Sequence, residues 1–393
     1  MNRPRLVIAA GRDKAILRHH PWIFSGAVKR VEGNPAEGDL VDVCSASGEW
    51  LAMGHFQNDN IVCKVLTFNK EESLLPIAEL LRRRVVSAIG YRRQLGFFDM
   101  ASTNVFRLIH AEGDYLPGLV ADWYDGVVVL QAHSVGMHRC FPQLVEIFMT
   151  AIPVIMAVYD KSSATCPGGA TDGFVFGPEV AEKEVVEYGN RLIINFYEGQ
   201  KTGFFVDQRE NRRLVADLSR GRSVLNCFGY TGGFSLAALR GGASYVETVD
   251  ISKKAIALCD RNVALNFGPE APHRGVVADV LQRLDAADKR FDFIVLDPPA
   301  FAKNHRALQA GLKGYRSINQ RAMEALPDGG LLMTFSCSQA VSRDDFQTML
   351  FTAAMNAGRR VRIVRQLPHA ADHPVSIHHP EGEYLKGLLL EVE

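Results

Sequence analysis

A thiol and three carboxylates occupy positions in this chain where a ligand-binding or catalytic group is expected. Cys337 follows Thr334-Phe335-Ser336, which continues the apolar run Leu331-Leu332-Met333 after a tight turn at Asp328-Gly329-Gly330. That pattern predicts a strand delivering the thiol to its carboxyl end, where open α/β sheets bind their ligands. Ser342-Arg343-Asp344-Asp345 then has the form of a helix capping box. Cysteine is also among the residue types most often buried, so this stretch alone reads as core filler before it reads as a catalyst. Asp297-Pro298-Pro299 puts an acid ahead of two residues that cannot continue a sheet ladder. The doubled proline fixes the backbone and leaves carbonyls free to receive donors, which suits a planar, amine-bearing base. Asn226-Cys227-Phe228-Gly229-Tyr230-Thr231-Gly232-Gly233 closes an earlier apolar run, and its glycines permit a sharp turn and close approach to a ligand at a helix start. Asp250, about twenty residues on, is placed to grip ribose hydroxyls, and Asp279 to accept from an adenine amino group. A dinucleotide fingerprint wants a middle glycine where Thr231 stands, so the loop favours a nucleoside cofactor without phosphates, such as S-adenosylmethionine.

The elements that must carry these residues alternate strand and helix through the last half of the chain. Strands are predicted at Ser223 to Cys227, Tyr245 to Asp250, Gly275 to Ala278, Phe291 to Leu296 and Gly330 to Phe335, giving a mostly parallel sheet with helices on both faces. From Arg5 to about Phe68 the pattern is one of short strands and turns: Arg5 to Ile8, Leu40 to Val43, Trp50 to Met53 and Ile61 to Leu66. They suggest a small β-barrel. Within it His20-Pro21-Trp22-Ile23-Phe24 reads as core and turn rather than as a base-stacking platform. A helix running to about Gln94 has an apolar face of Ile77, Leu80, Leu81, Val85 and Ile89, with Arg82, Arg83, Arg84, Arg92 and Arg93 read as its solvated face. Strands at Phe106 to Ile109, Leu119 to Asp122, Val127 to Leu130 and Pro153 to Tyr159, with a helix near Cys140 to Thr150, complete an α+β middle region that ends in the turn-rich stretch Ser162 to Gly173.

Composition limits what such a chain does. It has 393 residues, 47% hydrophobic and 22% charged, so two or three globular domains are expected and extensive disorder is not. Net charge is zero, which removes a global argument for nucleic acid and leaves local asymmetry to carry it. Residues 1 to 30 hold seven Lys or Arg against the single acid Asp13. The run reads either as ordinary solvated surface or as an RNA-facing patch built from Arg12, Lys14, Arg18, His19 and His20. Seven widely spaced cysteines without a Cys-x-x-Cys pair suggest neither a disulfide framework nor a zinc site, and a reducing cytoplasm is the expected location. The most apolar stretch, Ile147 to Tyr159, is broken by Thr150 and Pro153 and is too short for a bilayer, so no membrane partner is expected.

The motifs together resemble the RlmI-like family of RNA cytosine-C5 methyltransferases that modify large-subunit (23S) ribosomal RNA. The resemblance runs nearly end to end, through Arg18-His19-His20-Pro21-Trp22-Ile23-Phe24-Ser25-Gly26, Gly199-Gln200-Lys201-Thr202-Gly203-Phe204-Phe205-Val206-Asp207-Gln208-Arg209, the Phe228-Gly229 loop, Asp297-Pro298-Pro299, Phe335-Ser336-Cys337-Ser338 and Pro380-Glu381-Gly382-Glu383-Tyr384-Leu385-Lys386-Gly387. It implies a PUA-like RNA-binding domain over 1–73, an α+β middle domain over 74–185 and a class I Rossmann-like methyltransferase domain over 186–393. It further implies that Thr202, Phe204, Phe228, Gly229, Gly232, Asp250, Asp279 and Asp297 line the S-adenosylmethionine pocket. Lys201 and Arg209 hold either the donor's carboxylate or an RNA phosphate. Ribosomal RNA is the implied partner; no metal is implied, and a homo-oligomer is left open.

The implied chemistry uses Cys337 as nucleophile and Asp297 as the group that grips the cytosine. Where some relatives have a second cysteine after Asp-Pro-Pro, this chain has Ala300, so Cys337 is left alone. Thiolate addition to C6 would make C5 electron-rich toward a methyl donor, and Asp297 would hold the N3/N4 edge as N3 gains a proton. The rival readings are an RNA methyltransferase acting on another atom, such as guanine N7, and a non-catalytic RNA-binding module.

Overall fold

The computed structural model describes residues 3–166, 168 and 170–393; two positions in the turn-rich stretch before Gly173, Pro167 and Gly169, lie outside it. The chain forms two compact units, one of Met1–Val185, Ile194–Val206 and Ala371–Gly382, the other of Val186–Ile193, Asp207–Ala370 and Glu383–Glu393. Among the described residues no helix is long and apolar enough to cross a membrane.

The first unit carries two sheets. Strands β1 (Arg5–Ile8), β2 (Trp22–Phe24), β3 (Val28–Glu32), β4 (Leu40–Cys44), β5 (Trp50–Phe56) and β6 (Ile61–Thr67) form a six-stranded sheet in the order β2-β6-β5-β4-β1-β3. Period-2 alternation turns Leu6, Ile8, Val41 and Val43 into its core. The same alternation corrects the reading of Trp22 and Phe24 as core. Ile23 takes the inward position at 1% exposure, leaving Phe24 42% exposed. Trp22 is half-buried, its indole N–H donating to Glu112 Oε1 at 2.8 Å.

The second sheet, ordered β11-β10-β9-β8-β7, comprises β7 (Val105–His110), β8 (Leu119–Tyr124), β9 (Val127–Ala132), β10 (Ala157–Asp160) and β11 (Gly173–Phe176). β10 begins at Ala157 rather than at Pro153, since proline cannot supply a ladder N–H. The helix Ile77–Gln94 lays Leu80, Leu81, Val85 and Ile89 against the core of this sheet. Four of its five arginines are partly or fully exposed, but Arg92 is not. It lies four residues after Ala88 on the apolar side and is wholly enclosed. Its guanidinium donates to Asp114 Oδ1 at 2.5 Å, Asp372 O at 2.6 Å and Arg107 O at 3.0 Å. A fork of five donors met by a carboxylate and carbonyls is what makes a buried arginine tolerable.

A two-stranded ribbon of β12 (Glu182–Glu187) and β13 (Asn190–Asn195) precedes the sheet of the second unit. That sheet consists of β14 (Ser223–Cys227), β15 (Tyr245–Asp250), β16 (His273–Val277), β17 (Phe293–Leu296), β18 (Gly330–Ser336), β19 (Val361–Leu367) and β20 (Lys386–Val392), in the order β16-β15-β14-β17-β18-β20-β19. The first five are parallel, and β20 runs antiparallel to both β18 and β19. The architecture is the expected α/β one, a doubly wound sheet in a chain that also carries an N-terminal six-stranded sheet and an α+β region. Strand order reverses between β15 and β17 about β14, and the carboxyl ends there open the crevice in which doubly wound sheets bind ligands.

The helix after Cys337, Arg343–Ala357, starts with a complete capping box: Ser342 Oγ accepts from Asp345 N at 3.0 Å, and Ser342 N donates to Asp345 Oδ2 at 3.1 Å. Ser342→Ala is therefore expected to destabilise the full chain by about 1 kcal/mol, read as a lower urea midpoint at constant slope. An unchanged midpoint would remove the box from the account of this helix start.

Candidate active site

The loop leaving β14 is held in an uncommon backbone conformation. Phe228 and Tyr230 adopt φ of 58° and 46°, each left-handed non-glycine residue costing on the order of 1 kcal/mol or more. Hydrogen bonds hold this shape: Gly229 N donates to Val249 O at 3.0 Å and Tyr230 N to Asp250 Oδ2 at 3.0 Å. The other carboxylate oxygen of Asp250 takes Ser252 N at 2.8 Å, so the acid is fixed in direction and, with about four lone-pair sites, keeps acceptor capacity for a ribose. Gly229 has no room for a side chain, since a Cβ there would meet Thr248 Cγ2 at 2.3 Å. Gly232, at φ 86°, caps the helix Gly233–Arg240, and a Cβ there would lie 2.4 Å from Cys259 Sγ. The Thr231 hydroxyl is buried in this loop with no hydrogen-bond partner among the described residues. The loop, the fixed acid and the unsatisfied hydroxyl fit a polar nucleoside ligand at a helix start. Asp279, exposed at the end of the next strand's loop, caps the helix Val280–Asp285 by accepting Gln282 N at 3.1 Å.

On the other side of β14, two neighbouring parallel strands end together. Leu296 of β17 pairs with Thr334 of β18, so Asp297-Pro298-Pro299 and Ser336-Cys337-Ser338 leave the sheet side by side. Cys337 Sγ lies 4.0 Å from Pro298 O. Ser338 ties the two loops, its hydroxyl sharing a hydrogen bond of 2.8 Å with the Tyr315 hydroxyl and accepting Ala302 N at 3.1 Å. Asp297 is half-buried.

Burial separates Cys337 from the other cysteines. Cys44, Cys63, Cys140, Cys166, Cys227 and Cys259 are buried, whereas Cys337 is part-exposed. Removal from water pushes the buried thiols up, to about 11 for Cys140 and about 12 for Cys259. Such thiols do not form thiolates at neutral pH. The core-filler reading therefore suits six cysteines and not the one at the strand end.

The remaining residues expected at the site fall in different places. Phe228, Gly229, Gly232, Asp250, Asp279, Asp297 and Cys337 belong to the second unit; Lys201, Thr202 and Phe204 belong to the first. The Thr202 hydroxyl is 1% exposed and bonds Asp122 Oδ2 at 2.5 Å and the Tyr124 hydroxyl at 2.9 Å. Phe204 is buried, with its N–H donating to the same tyrosine at 3.2 Å. Lys201 is exposed with its ammonium 4.7 Å from the Phe205 ring. Arg12, Lys14 and Arg18 are exposed around the short helix Lys14–Leu17, and His20 is half-buried with Nε2 3.2 Å from Glu381 Oε2. Arg209 corrects an expectation: at 0% exposure, ion-paired to Glu210 at 3.4 Å, its guanidinium is walled off from an RNA phosphate.

Lys386 was not among the residues expected to act. It opens β20 opposite Ser336, is 4% exposed, and donates from Nζ to Ser338 O at 2.6 Å and Tyr384 O at 2.7 Å. The one available signal is a lysine at the head of the apolar run Gly387-Leu388-Leu389-Leu390.

A family model described as S-adenosylmethionine-dependent methyltransferase matches residues 106–377, and one described as PUA-like domain matches residues 6–68. The chain is similar to ribosomal RNA large subunit methyltransferase I of Escherichia coli, 39% identical over 398 residues and 99% of each chain. The protein of the same name from Alteromonas mediterranea is 37% identical over 396 residues, 99% of this chain and 98% of the other. Among solved structures, a Streptococcus mutans protein described as a SAM-dependent methyltransferase superposes over all of both chains at TM-score 0.86 with 21% identity. A methyltransferase complexed with SAH gives the same values.

Proposed function

The chain belongs to the ribosomal RNA large subunit methyltransferase I family, and from that membership we propose that this S-adenosylmethionine-dependent enzyme methylates C5 of a cytosine in large-subunit (23S) ribosomal RNA through a covalent Cys337–C6 adduct. The observation that carries the cytosine-C5 reading is the pairing of one part-exposed thiol with the Asp297-Pro298-Pro299 turn at adjacent strand ends. Methylation of an exocyclic or already nucleophilic ring nitrogen needs no thiol there.

S-adenosylmethionine supplies an electrophilic methyl group when bound; Phe228, Gly229, Gly232, Asp250 and Asp279 would hold it at the ends of β14 to β16. The work of the chain's own residues is on the base. Cys337 thiolate adds to C6, and the C5–C6 double bond gives way to an electron-rich C5. Asp297 accepts from the N4 amino group; as the adduct forms N3 takes a proton from water, and the new N3–H donates to the Asp297 carboxylate, so the negative charge of the adduct is neutralised on the ring. After C5 is methylated, its proton leaves to a base, the C6–S bond breaks with its electron pair returning to sulfur, and N3 gives its proton back to water. A cytosine must be unstacked to enter such a site, which favours an RNA loop or an unfolded segment. Arg12, Lys14 and Arg18, exposed on the PUA-like domain, are proposed to meet phosphates, with Lys201 holding either a phosphate or the donor's carboxylate. The residue divisions 1–73, 74–185 and 186–393 remain the proposed functional domains, the first for RNA and the last for chemistry.

The test is transfer of tritiated methyl groups onto ribosomal RNA from cells lacking this gene, followed by nucleoside digestion. Label in 5-methylcytidine of the large-subunit RNA is the expected outcome. Label in 7-methylguanosine instead would sink the cytosine-C5 reading while leaving the methyltransferase in place.

A further inference from the structure

Lys386 stands where a lysine is costly. Its ammonium has three N–H donors and no acceptor. Two donors are spent on neutral carbonyls, those of Ser338 and Tyr384, and one is left for a further acceptor. A cation with 4% exposure needs an anion near it. The charged and titratable groups that face it are Cys337 beyond β18, Glu383 just before β20 and Arg343 at the following helix start, with Tyr315 beside Ser338. Glu383 is already paired with Arg343. Burial draws the Lys386 ammonium down to about 8, and among the groups that counter this the Cys337 thiolate is foremost. The attraction is mutual, so whatever the thiolate does for the ammonium, the ammonium does for the thiolate. In the register of β18 and β20, Lys386 sits opposite Ser336, one residue from the thiol.

We propose that Lys386 is a positioning residue of the methyl-transfer reaction, the buried cation that holds Cys337 as a thiolate before attack and receives the thiolate again when the C6–S bond breaks. This rests on the covalent-cysteine reading. In the resting enzyme the thiol proton passes to water and Lys386 stays an ammonium. On addition the sulfur's electron pair forms the C6–S bond and the cation loses its partner. On elimination the pair returns to sulfur, the C5 proton having gone to a base, and the ion pair is restored. The ammonium therefore favours both a ready nucleophile and a good leaving group, which a chain with Ala300 in place of a second cysteine particularly needs.

The experiment measures the rate of Cys337 alkylation by iodoacetamide against pH in the full chain, with the modified residue located by mass spectrometry. Wild type, Lys386→Met and Lys386→Gln are compared, the last keeping N–H donors for the two carbonyls without the charge. S-adenosylmethionine binding by calorimetry reports that each variant is folded, and if Lys386→Met loses it, Lys386→Gln carries the test. The expected result is an upward shift of the alkylation midpoint by at least one pH unit, or about a tenfold slower reaction at pH 7. A midpoint unchanged in a folded variant overturns the role of Lys386 and leaves the covalent reading standing. Full 5-methylcytidine formation by Cys337→Ala would overturn the covalent reading and leave the alkylation shift standing.

Discussion

Cys337→Ala is expected to lower methyl transfer by about 10⁴-fold or more, on the scale of losing a covalent nucleophile elsewhere, while S-adenosylmethionine affinity stays unchanged. The reason is the substrate. C5 of cytosine is conjugated and a poor nucleophile, so without addition at C6 there is little electron density to meet a methyl group. The other six cysteines cannot substitute, because each is buried. The cost to the fold should be small, within about 0.5 kcal/mol, as for surface positions generally. Cys337 is part-exposed, and the tie between the two loops runs through Ser338 and Tyr315 rather than through the sulfur. The residues that would hold the donor lie at the ends of other strands, which is why its binding should survive. RNA carrying 5-fluorocytidine at the target provides a second readout. Fluorine cannot leave C5 as a cation, so the wild-type protein should remain covalently attached and Cys337→Ala should not. Normal turnover in the alanine variant, or attachment of it to the fluorinated RNA, would exclude Cys337 as the nucleophile.

Much of this arrangement was legible before the fold was seen, and the reason is local. The parallel strands are short apolar runs closed by turn residues, and the residues singled out sit one or two positions beyond those runs. Gly229, Asp250, Asp297 and Cys337 needed only the correct strand ends to fall on one edge of the sheet. Order along the chain then did the rest, since β17 and β18 are consecutive strands that pair directly. The capping box after Cys337 was likewise a pattern of four residues, complete in itself.

What was not legible depends on partners distant in sequence. β19 and β20 pair antiparallel at the far edge, and neither alternation nor a flanking turn marks Val361–Leu367, of which one residue is buried. Arg92 reads as part of a basic helix face because its acceptors are Asp114, Asp372 and the carbonyl of Arg107, all outside the helix. Arg209 is a similar case: a cation expected to hold either the donor's carboxylate or an RNA phosphate, which the fold encloses beside Glu210. Trp22 and Phe24 failed because a three-residue strand buries its middle residue and leaves the flanking rings outward, against the usual fate of aromatics. Lys386 meets its carbonyl acceptor on Ser338 across 48 residues of chain, a juxtaposition that only the β18 and β20 register creates.

Asp297→Asn separates charge from shape at the base-gripping position, and it is expected to lower kcat by about 10²–10³-fold, the usual loss when one group that stabilises developing charge is removed. The amide has the size of the carboxylate and keeps one acceptor oxygen, so a base can still dock by its N4 amino group. What it lacks is a negative charge toward an N3 that gains a proton as the adduct forms. That interaction exists in the transition state and hardly in the ground state, so the loss should appear in kcat with KM altered only a few-fold. Geometry should persist because the turn is held by other means. Pro298 and Pro299 fix the backbone without donating a hydrogen bond, and Ala302 N is tied to Ser338 Oγ at 3.1 Å. Alkylation of Cys337 in the asparagine variant should proceed close to the wild-type rate, since the cation proposed to face the thiol is Lys386. Single-turnover methyl transfer with saturating donor distinguishes the effects: a slow chemical step with normal RNA affinity supports Asp297 as the stabilising acid. An unchanged kcat with weakened RNA binding would reduce it to a docking contact, and an N3 proton held by another group would have to be sought.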